Sequence, residues 1–187
     1  MKNLLIICLF VTTIFTTQAQ EKQKEDCDCP EPTKEQFSNV CQNLYDKEPA
    51  YDENGPVGYQ YQADLWEMSC ADLKKDSKEI AWKKIECMWN KYREKFRCYN
   101  TSSAANERNI LKFSIDSGFT VLISEFVKHN FDVNFKDPAD NKTILDFIKD
   151  EINSISNTPP VNNAKITEYN RLYNMLLKNG AKHAKDL

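Results

Sequence analysis

Residues Phe126–Phe147 read FVKHNFDVNFKDPADNKTILDF, and this stretch decides the fold. Its first part is the apolar end of a helix, which runs into Asp-Val-Asn at 132–134. A polar turn covers 135–142, and Thr143 then opens a second apolar segment. The threonine hydroxyl can accept a hydrogen bond from the first backbone N–H groups of a helix. The stretch therefore predicts two helical units joined by a projecting polar turn.

An internal repeat supports this interpretation. The segments NIL at 109–111 and TIL at 143–145 lie 34 residues apart. The equivalent positions Leu122 and Leu172 in the following helices are 50 residues apart, so the second unit carries 16 additional residues. This insertion falls near 154–165 and contains two consecutive prolines. Two related helical segments at this spacing are typical of stacked repeats.

The region from about 105 to 187 resembles the ankyrin-repeat family, whose unit of about 33 residues contains two helices and a projecting turn. Gly118 lies where the family has a glycine between its helices. The D-V-N at 132–134 resembles the end of a second helix, and T-I-L-D at 143–146 resembles the family's T-P-L-H. The segment LLKNGA at 176–181 resembles its L-L-x-x-G-A ending. Isoleucine and aspartate replace the proline and histidine of T-P-L-H, which is a real departure.

The resemblance implies a protein-binding surface made of the projecting turn and the inner helices. Phe135 belongs to no helical stripe and is surrounded by charges, so it is predicted to be an exposed aromatic anchor. The expected partner-binding residues are Phe135, Lys136, Asp137, Asp140 and Lys142 of the turn, with Phe113, Asp116, Phe147 and Asp150 of the inner helices. The longer loop near 154–165 is the less favoured contact. For each charged residue taken singly, a purely solvating role is the alternative.

The first nineteen residues predict a secretory signal peptide, since Lys2 precedes an apolar run and small residues end at Ala19. After cleavage near Ala19, 24 basic and 28 acidic side chains remain, for a net charge near −4. Because no basic cluster occurs, nucleic acid is not an expected partner. No later apolar run is long enough for a membrane span, so a periplasmic or secreted location is expected.

The expected mature chain has six cysteines in its first half: Cys27, Cys29, Cys41, Cys70, Cys87 and Cys98. An even number in an exported chain predicts three disulfide bonds, with fifteen possible connectivities. Cys41 and Cys70 form one candidate pair, since both lie on predicted buried helix faces. Cys27 and Cys29 are expected to have different partners, because a bridge across one residue is strained. No second paired motif accompanies them, so neither a metal nor a cofactor is expected.

Helical spacing also covers the first half of the chain. Thr33 and Gln36 fit a capping box that begins a helix. Two further helices are predicted over about 62–75 and 76–97, and a loop is predicted at 48–58.

The predicted fold is all-α. It consists of a disulfide-bonded helical region at 20–100 that caps an ankyrin-like helix-pair stack at 101–187. An unrelated helical bundle is the alternative. His129 and His183 are expected to be surface residues, because neither has a paired acid or nucleophile nearby in sequence.

The expected function is that of an exported protein-binding module without catalytic activity. The partner is expected to be another protein, such as a toxin or effector. A periplasmic immunity protein that neutralises a toxin from a competing bacterium fits the size and compartment by analogy. A small secreted hydrolase that uses carboxylates of the first half and a structural envelope protein are the alternatives.

Overall fold

The computed structural model of the protein describes residues 29–72, 74–99 and 107–187. Of these residues, 58% are helical and 10% lie in strands. The helices are α1 (Lys34–Asp46), α2 (Gln60–Met68), α3 (Lys78–Tyr92), α4 (Ile110–Asp116), α5 (Val121–Lys128), α6 (Ile144–Asn157) and α7 (Asn163–Lys178), with short 3-10 helices at Arg93–Lys95 and Ala184–Asp186. The strands are β1 (Pro49–Asp52), β2 (Gly55–Tyr59), β3 (Arg97–Tyr99) and β4 (Glu107–Asn109). The fold is therefore mixed α and β, and the all-α prediction is wrong.

Two antiparallel pairs of short strands account for this correction. β1 pairs with β2 over the segment that the sequence predicts as a loop, and β3 pairs with β4. The first hairpin turns where the Asp52 carboxylate accepts a hydrogen bond from the Asn54 N–H at 2.7 Å. Strands of three to five residues are too short to show a clear alternation of apolar and polar side chains. The sequence therefore showed only the helical stripes of the neighbouring segments, which predict an all-α fold.

The first helix agrees with the sequence prediction. The Thr33 hydroxyl accepts from the Gln36 N–H, and the Gln36 side chain accepts from the Thr33 N–H, which completes the capping box. The apolar stripe of α1 is buried as expected: Phe37, Val40, Cys41 and Leu44. The helix ends at Lys47, whose backbone is left-handed.

The second half contains two successive helix pairs. Gly118 lies between α4 and α5 with a φ of 67°, which a residue with a side chain rarely adopts. Thr143 caps α6 in a capping box with Asp146. The Asn134 side chain connects the two pairs, because it donates to the Gly180 carbonyl at 3.0 Å and accepts from the Lys182 N–H at 2.7 Å.

One hydrophobic core runs through both halves of the described chain. Trp89 of α3 lies where the halves meet, and its ring packs edge-to-face on Phe126 and Phe135 at 4.9 and 5.7 Å between centroids. Its indole N–H donates to the Asp132 carbonyl at 2.8 Å. The disulfide-bonded helices therefore pack directly on the α4–α5 pair and the turn that follows it. Within the described ranges, none of the helices is both long and apolar enough to cross a lipid bilayer.

Candidate functional site

The predicted aromatic anchor of the turn is part of the core. Phe135 is 7% exposed, and it lies against Trp89 with the Arg93 guanidinium 5.3 Å from its ring centroid. The prediction that Phe135 is an exposed contact residue is therefore wrong. Phe113 and Phe147 are also buried, so neither offers an exposed ring on the inner helices. The partners of Phe135 lie more than forty residues earlier in the chain, where local sequence patterns give no sign of them.

Asp137 is the centre of a buried ionic network. Its side chain is 2% exposed, and its carboxylate accepts from Asn109 Nδ2 at 2.9 Å, Lys112 Nζ at 3.1 Å and the Ala139 N–H at 3.1 Å. Arg97 forms an additional ion pair with it. Burial alone would raise the pKa of Asp137, but the hydrogen bonds from Arg97 and Ala139 together with Lys112 lower the pKa to about 2. Asp137 therefore fixes the turn from inside and is not a surface contact.

The remaining predicted contact residues fall into an exposed group at the turn and one half-buried residue, Asp116. Lys136 is exposed, and Lys142 forms an exposed ion pair with Asp150 at 2.6 Å. Asp140 accepts from the buried Lys112 at 2.6 Å and so belongs to the network around Asp137.

Asp116 is half-buried and forms an ion pair with Arg108. Burial raises its pKa, and Arg108 opposes the rise. Of the five turn residues that were predicted to bind a partner, Lys136, Asp140 and Lys142 are exposed to solvent, whereas Phe135 and Asp137 are buried.

A cleft of about 600 Å³ lies where α1, the Arg93–Lys95 turn, β3, β4 and α4 meet. Phe37, Cys41 and Phe113 contribute apolar side chains to its lining. Tyr45 and Tyr99 also line it, and these two rings are 39% and 56% exposed. The cleft therefore combines an apolar floor with an aromatic rim that is open to solvent.

Both acidic side chains that line the cleft are paired with cations. Lys95 forms an ion pair with Glu31, and Arg97 Nε lies 3.3 Å from a carboxylate oxygen of Glu107. Arg97 also reaches the buried Asp137. The Arg97 guanidinium thus connects the cleft wall to the ionic network of the turn, and the turn helps to position the cleft wall.

The Cys41–Cys98 disulfide holds two walls of this cleft together. It joins α1 to β3 with a Cα–Cα distance of 5.4 Å, and both cysteines are buried. The second described bridge joins Cys29 to Cys70 at a Cα–Cα distance of 5.7 Å. The predicted Cys41–Cys70 pairing is therefore wrong, because Cys70 lies beyond the end of α2 and not on its buried face.

Cys27, Cys29 and Cys87 are the other cysteines that were predicted to form disulfide bonds. Cys29 has a partner other than Cys27, as expected. Cys87 is also disulfide-bonded, whereas Cys27 falls outside the described residues, as does the predicted signal peptide. In the described ranges, no three His, Cys, Asp or Glu side chains converge on a position that could hold a metal ion.

Of the predicted partner-binding residues, only Phe113 lines the cleft, although two further signals pointed toward this region. Tyr45 is an aromatic residue of α1 that lies outside the buried stripe, and Tyr99 directly follows a bridged cysteine. Each observation is weak alone. The two residues lie 54 positions apart in the chain, and the Cys41–Cys98 bridge and the contact between the Phe37 and Phe96 rings bring their segments together.

Both histidines are half-buried beside acidic residues, so the prediction that they are surface residues is wrong. His183 Nδ1 lies 2.7 Å from Asp146 Oδ1, and its Nε2 lies 2.8 Å from the Tyr173 hydroxyl. His129 stacks on Trp82 with 4.0 Å between centroids, and its Nε2 lies 3.6 Å from Glu125. Burial lowers the pKa of His129. The Asp146–His183–Tyr173 chain fastens the C-terminal segment to α6 and α7 and does not line the cleft.

Asp146 gives the protein a specific acid sensitivity. Burial favours a higher pKa for this carboxyl, but the Ala184 N–H, His183 and Thr143 lower its pKa from 3.8 to about 2. Its contribution to the free energy of unfolding is therefore fully present above the unfolded pKa near 4. The contribution, about 2 kcal/mol, is lost as the pH falls toward 2. We expect Asp146→Asn to be about 2 kcal/mol less stable than wild type at pH 7, with a gap that narrows between pH 4 and 3 in urea unfolding.

The matched control for this prediction is Asp150→Asn, because Asp150 is exposed and pairs only with Lys142 across the surface. The free energy of unfolding of Asp150→Asn should differ little from that of wild type at pH 7. A constant difference between Asp146→Asn and wild type from pH 7 to pH 3 would contradict the assigned role of the carboxylate.

Comparison with protein-family models, curated proteins and solved structures finds no match to the chain. The resemblance to ankyrin repeats therefore stays a prediction from the sequence.

Proposed function

We propose that the protein is an exported module that binds another protein, with an anchoring side chain of the partner held in the cleft. The observation that carries this proposal is an apolar floor beneath two exposed tyrosines, Tyr45 and Tyr99. Tyrosine is enriched among residues that dominate binding energy, because its ring buries apolar area while its hydroxyl can still form hydrogen bonds. A volume of about 600 Å³ is within the range of pockets that bury a whole small ligand, so an aromatic side chain fits.

The acidic side chains that line the cleft suit a protein interface. Glu31 is held by Lys95, and Glu107 is held by Arg97. Neither carboxylate is left as a free charge in the cleft. The paired side chains can instead contribute specificity to an interface, since a partner must match their positions.

The proposal includes an exported location and an immunity-type role. The two disulfides are consistent with an oxidising, exported location. The signal peptide predicted from the sequence favours the periplasm, where an immunity-type protein would meet a toxin. The positive φ of Gly118 and the bonds from Asn134 to the next helix pair support an ankyrin-like relation between the two pairs.

The rim tyrosines provide the test of the cleft. We expect Tyr45→Ala and Tyr99→Ala each to weaken partner binding at least tenfold, equivalent to about 1.4 kcal/mol, with little change in the free energy of unfolding. Leu177→Ala is the matched control, because Leu177 is also exposed but lies on α7 and does not line the cleft. The partner is first captured with a photoreactive amino acid at position 99, and its affinity for each variant is then measured by calorimetry.

The result would contradict the proposal if adducts formed equally at positions 99 and 177, or if both tyrosine variants bound the captured protein normally. The immunity role has its own test. Cells lacking this gene should be killed by a toxin-producing neighbour, and wild type should restore survival while the Tyr45→Ala/Tyr99→Ala protein should not.

A further inference from the structure

The hairpin formed by β1 and β2 is held rigidly at its base. The Gln60 N–H donates to the Glu48 carbonyl at 2.8 Å, and the Glu48 N–H donates to the Asn43 carbonyl at 3.1 Å. Ala50 is buried, and Tyr59 packs edge-to-face on Phe119 with 4.7 Å between centroids. The arm is therefore fixed by α1 and the core, and its outer face is presented in one orientation.

The outer face of this hairpin is apolar and uncovered. Tyr51 and Val57 are 68% and 59% exposed, which makes them the two most exposed large apolar side chains of the described residues. Successive side chains of a strand point to opposite faces, so the burial of Ala50 places Tyr51 outward. Tyr51 is paired with Pro56 across the sheet, and the register shifts between Ala50 and Tyr51. Because this shift sets both Pro56 and Val57 opposite Tyr51, the three exposed side chains lie together, and they are called the hairpin face below.

The charge around the hairpin face is one-sided. The segment from Asp46 to Tyr59 contains four acidic residues, Asp46, Glu48, Asp52 and Glu53, and one basic residue, Lys47. All five are exposed. Glu48, Asp52 and Glu53 form no ion pair within the described part of the chain. This contrasts with the cleft, where the acidic side chains are neutralised by neighbouring cations.

We propose that the hairpin face docks on a cationic surface of the partner protein. This inference rests on the proposed protein-binding function and adds the chemistry of the partner. Tyr51 and Val57 would be buried against the partner. Asp52 and Glu53 would form ion pairs with Lys or Arg side chains of the partner. The edge of β2 is a poor site for strand addition, because Pro56 lacks an N–H and the register is irregular. The side chains, and not the strand edge, therefore carry the contact.

The test uses purified full-length protein that is immobilised and presented with a defined probe. The probe is the set of exported proteins of the source organism that a cation exchanger retains at pH 7, and the unretained acidic proteins serve as the comparison. The hairpin variants are Tyr51→Ala and the charge change Asp52→Asn/Glu53→Lys, in which the Asn side chain can still accept from the Asn54 N–H. The matched control is Glu67→Lys/Asp186→Asn, which makes the same change of net charge at two exposed acids outside the hairpin.

We expect one partner from the cation-exchange fraction, whose affinity falls at least tenfold with Asp52→Asn/Glu53→Lys and less than threefold with the control. The loss should be mainly in the association rate, and binding should weaken when salt is raised from 50 to 300 mM. Tyr51→Ala should instead raise the dissociation rate. Capture of a protein supports the inference only together with these hairpin effects.

The two proposals fail in different ways. If a partner is bound through Tyr45 and Tyr99 but the hairpin variants bind it normally, the hairpin inference is wrong and the cleft proposal stands. A partner from the acidic fraction also overturns the hairpin inference. If neither fraction contains a protein that binds, the proposed function fails together with the inference.

Discussion

Asp137→Ala is expected to lower the free energy of unfolding by about 3–5 kcal/mol, because it leaves a buried cation without its counter-ion. Lys112 is fully buried, and its ammonium group would keep only Asp140 as an acidic partner. Arg97 and Asn109 would each lose an acceptor as well. Urea unfolding at pH 7, followed by circular dichroism, measures this loss. A change below about 1 kcal/mol would contradict the assigned role of the network.

Lys112→Met is the control that separates the charge from the volume of the side chain. It should cost less than Asp137→Ala, because Asp137 keeps its bonds from Arg97, Asn109 and the Ala139 N–H. The double variant Lys112→Met/Asp137→Ala should cost clearly less than the sum of the two single losses, since the buried ammonium and its counter-ion are removed together.

Features that depend on neighbouring residues were predicted well from the sequence. The Thr33 capping box, the buried stripe of α1 and the cap at Thr143 all form as expected. Gly118 and Gly180 both have a positive φ at the ends of helices, as expected from glycine in these positions. Such features involve residues within four positions of one another, so the sequence pattern contains the whole interaction.

Features that depend on distant residues were not predicted. Phe135 looked exposed because its partners Trp89 and Arg93 are contributed by another helix. Asp137 looked like a surface charge because Arg97 and Lys112 lie 40 and 25 residues away in the chain. A turn rich in charged residues is usually solvated, and its composition does not reveal that other segments have been folded over it.

The location of the candidate site follows from the same long-range contacts. The sequence pointed to the turn at 135–142, whereas the cleft lies on the other side of Arg97. Arg97 binds Glu107 at the cleft and Asp137 under the turn. The turn is therefore linked to the cleft, and its contribution is to position the cleft wall through Arg97. A loss of partner binding in Asp137→Ala would accordingly be an indirect effect of the displaced Arg97.

Cys41→Ala/Cys98→Ala is expected to lower the free energy of unfolding by about 4 kcal/mol. The bridge spans 57 residues of sequence, and closing a loop of this length restricts the unfolded chain by about that amount. The same variant should also weaken partner binding, since the bridge joins α1 to β3 and thereby fixes Tyr45 relative to Tyr99. Urea unfolding measures the first effect, and calorimetry with the captured partner measures the second.

Cys29→Ala/Cys70→Ala is the matched control, because its bridge spans 41 residues and neither cysteine lines the cleft. The entropy of loop closure grows only with the logarithm of length, so the two variants should lose similar stability. Their binding should differ: the Cys41–Cys98 variant should bind at least tenfold more weakly, and the Cys29–Cys70 variant should bind as wild type does when both are fully folded. Equal binding by the two variants would show that the bridge stabilises the fold without shaping the cleft, and it would remove the main structural support for placing the partner there.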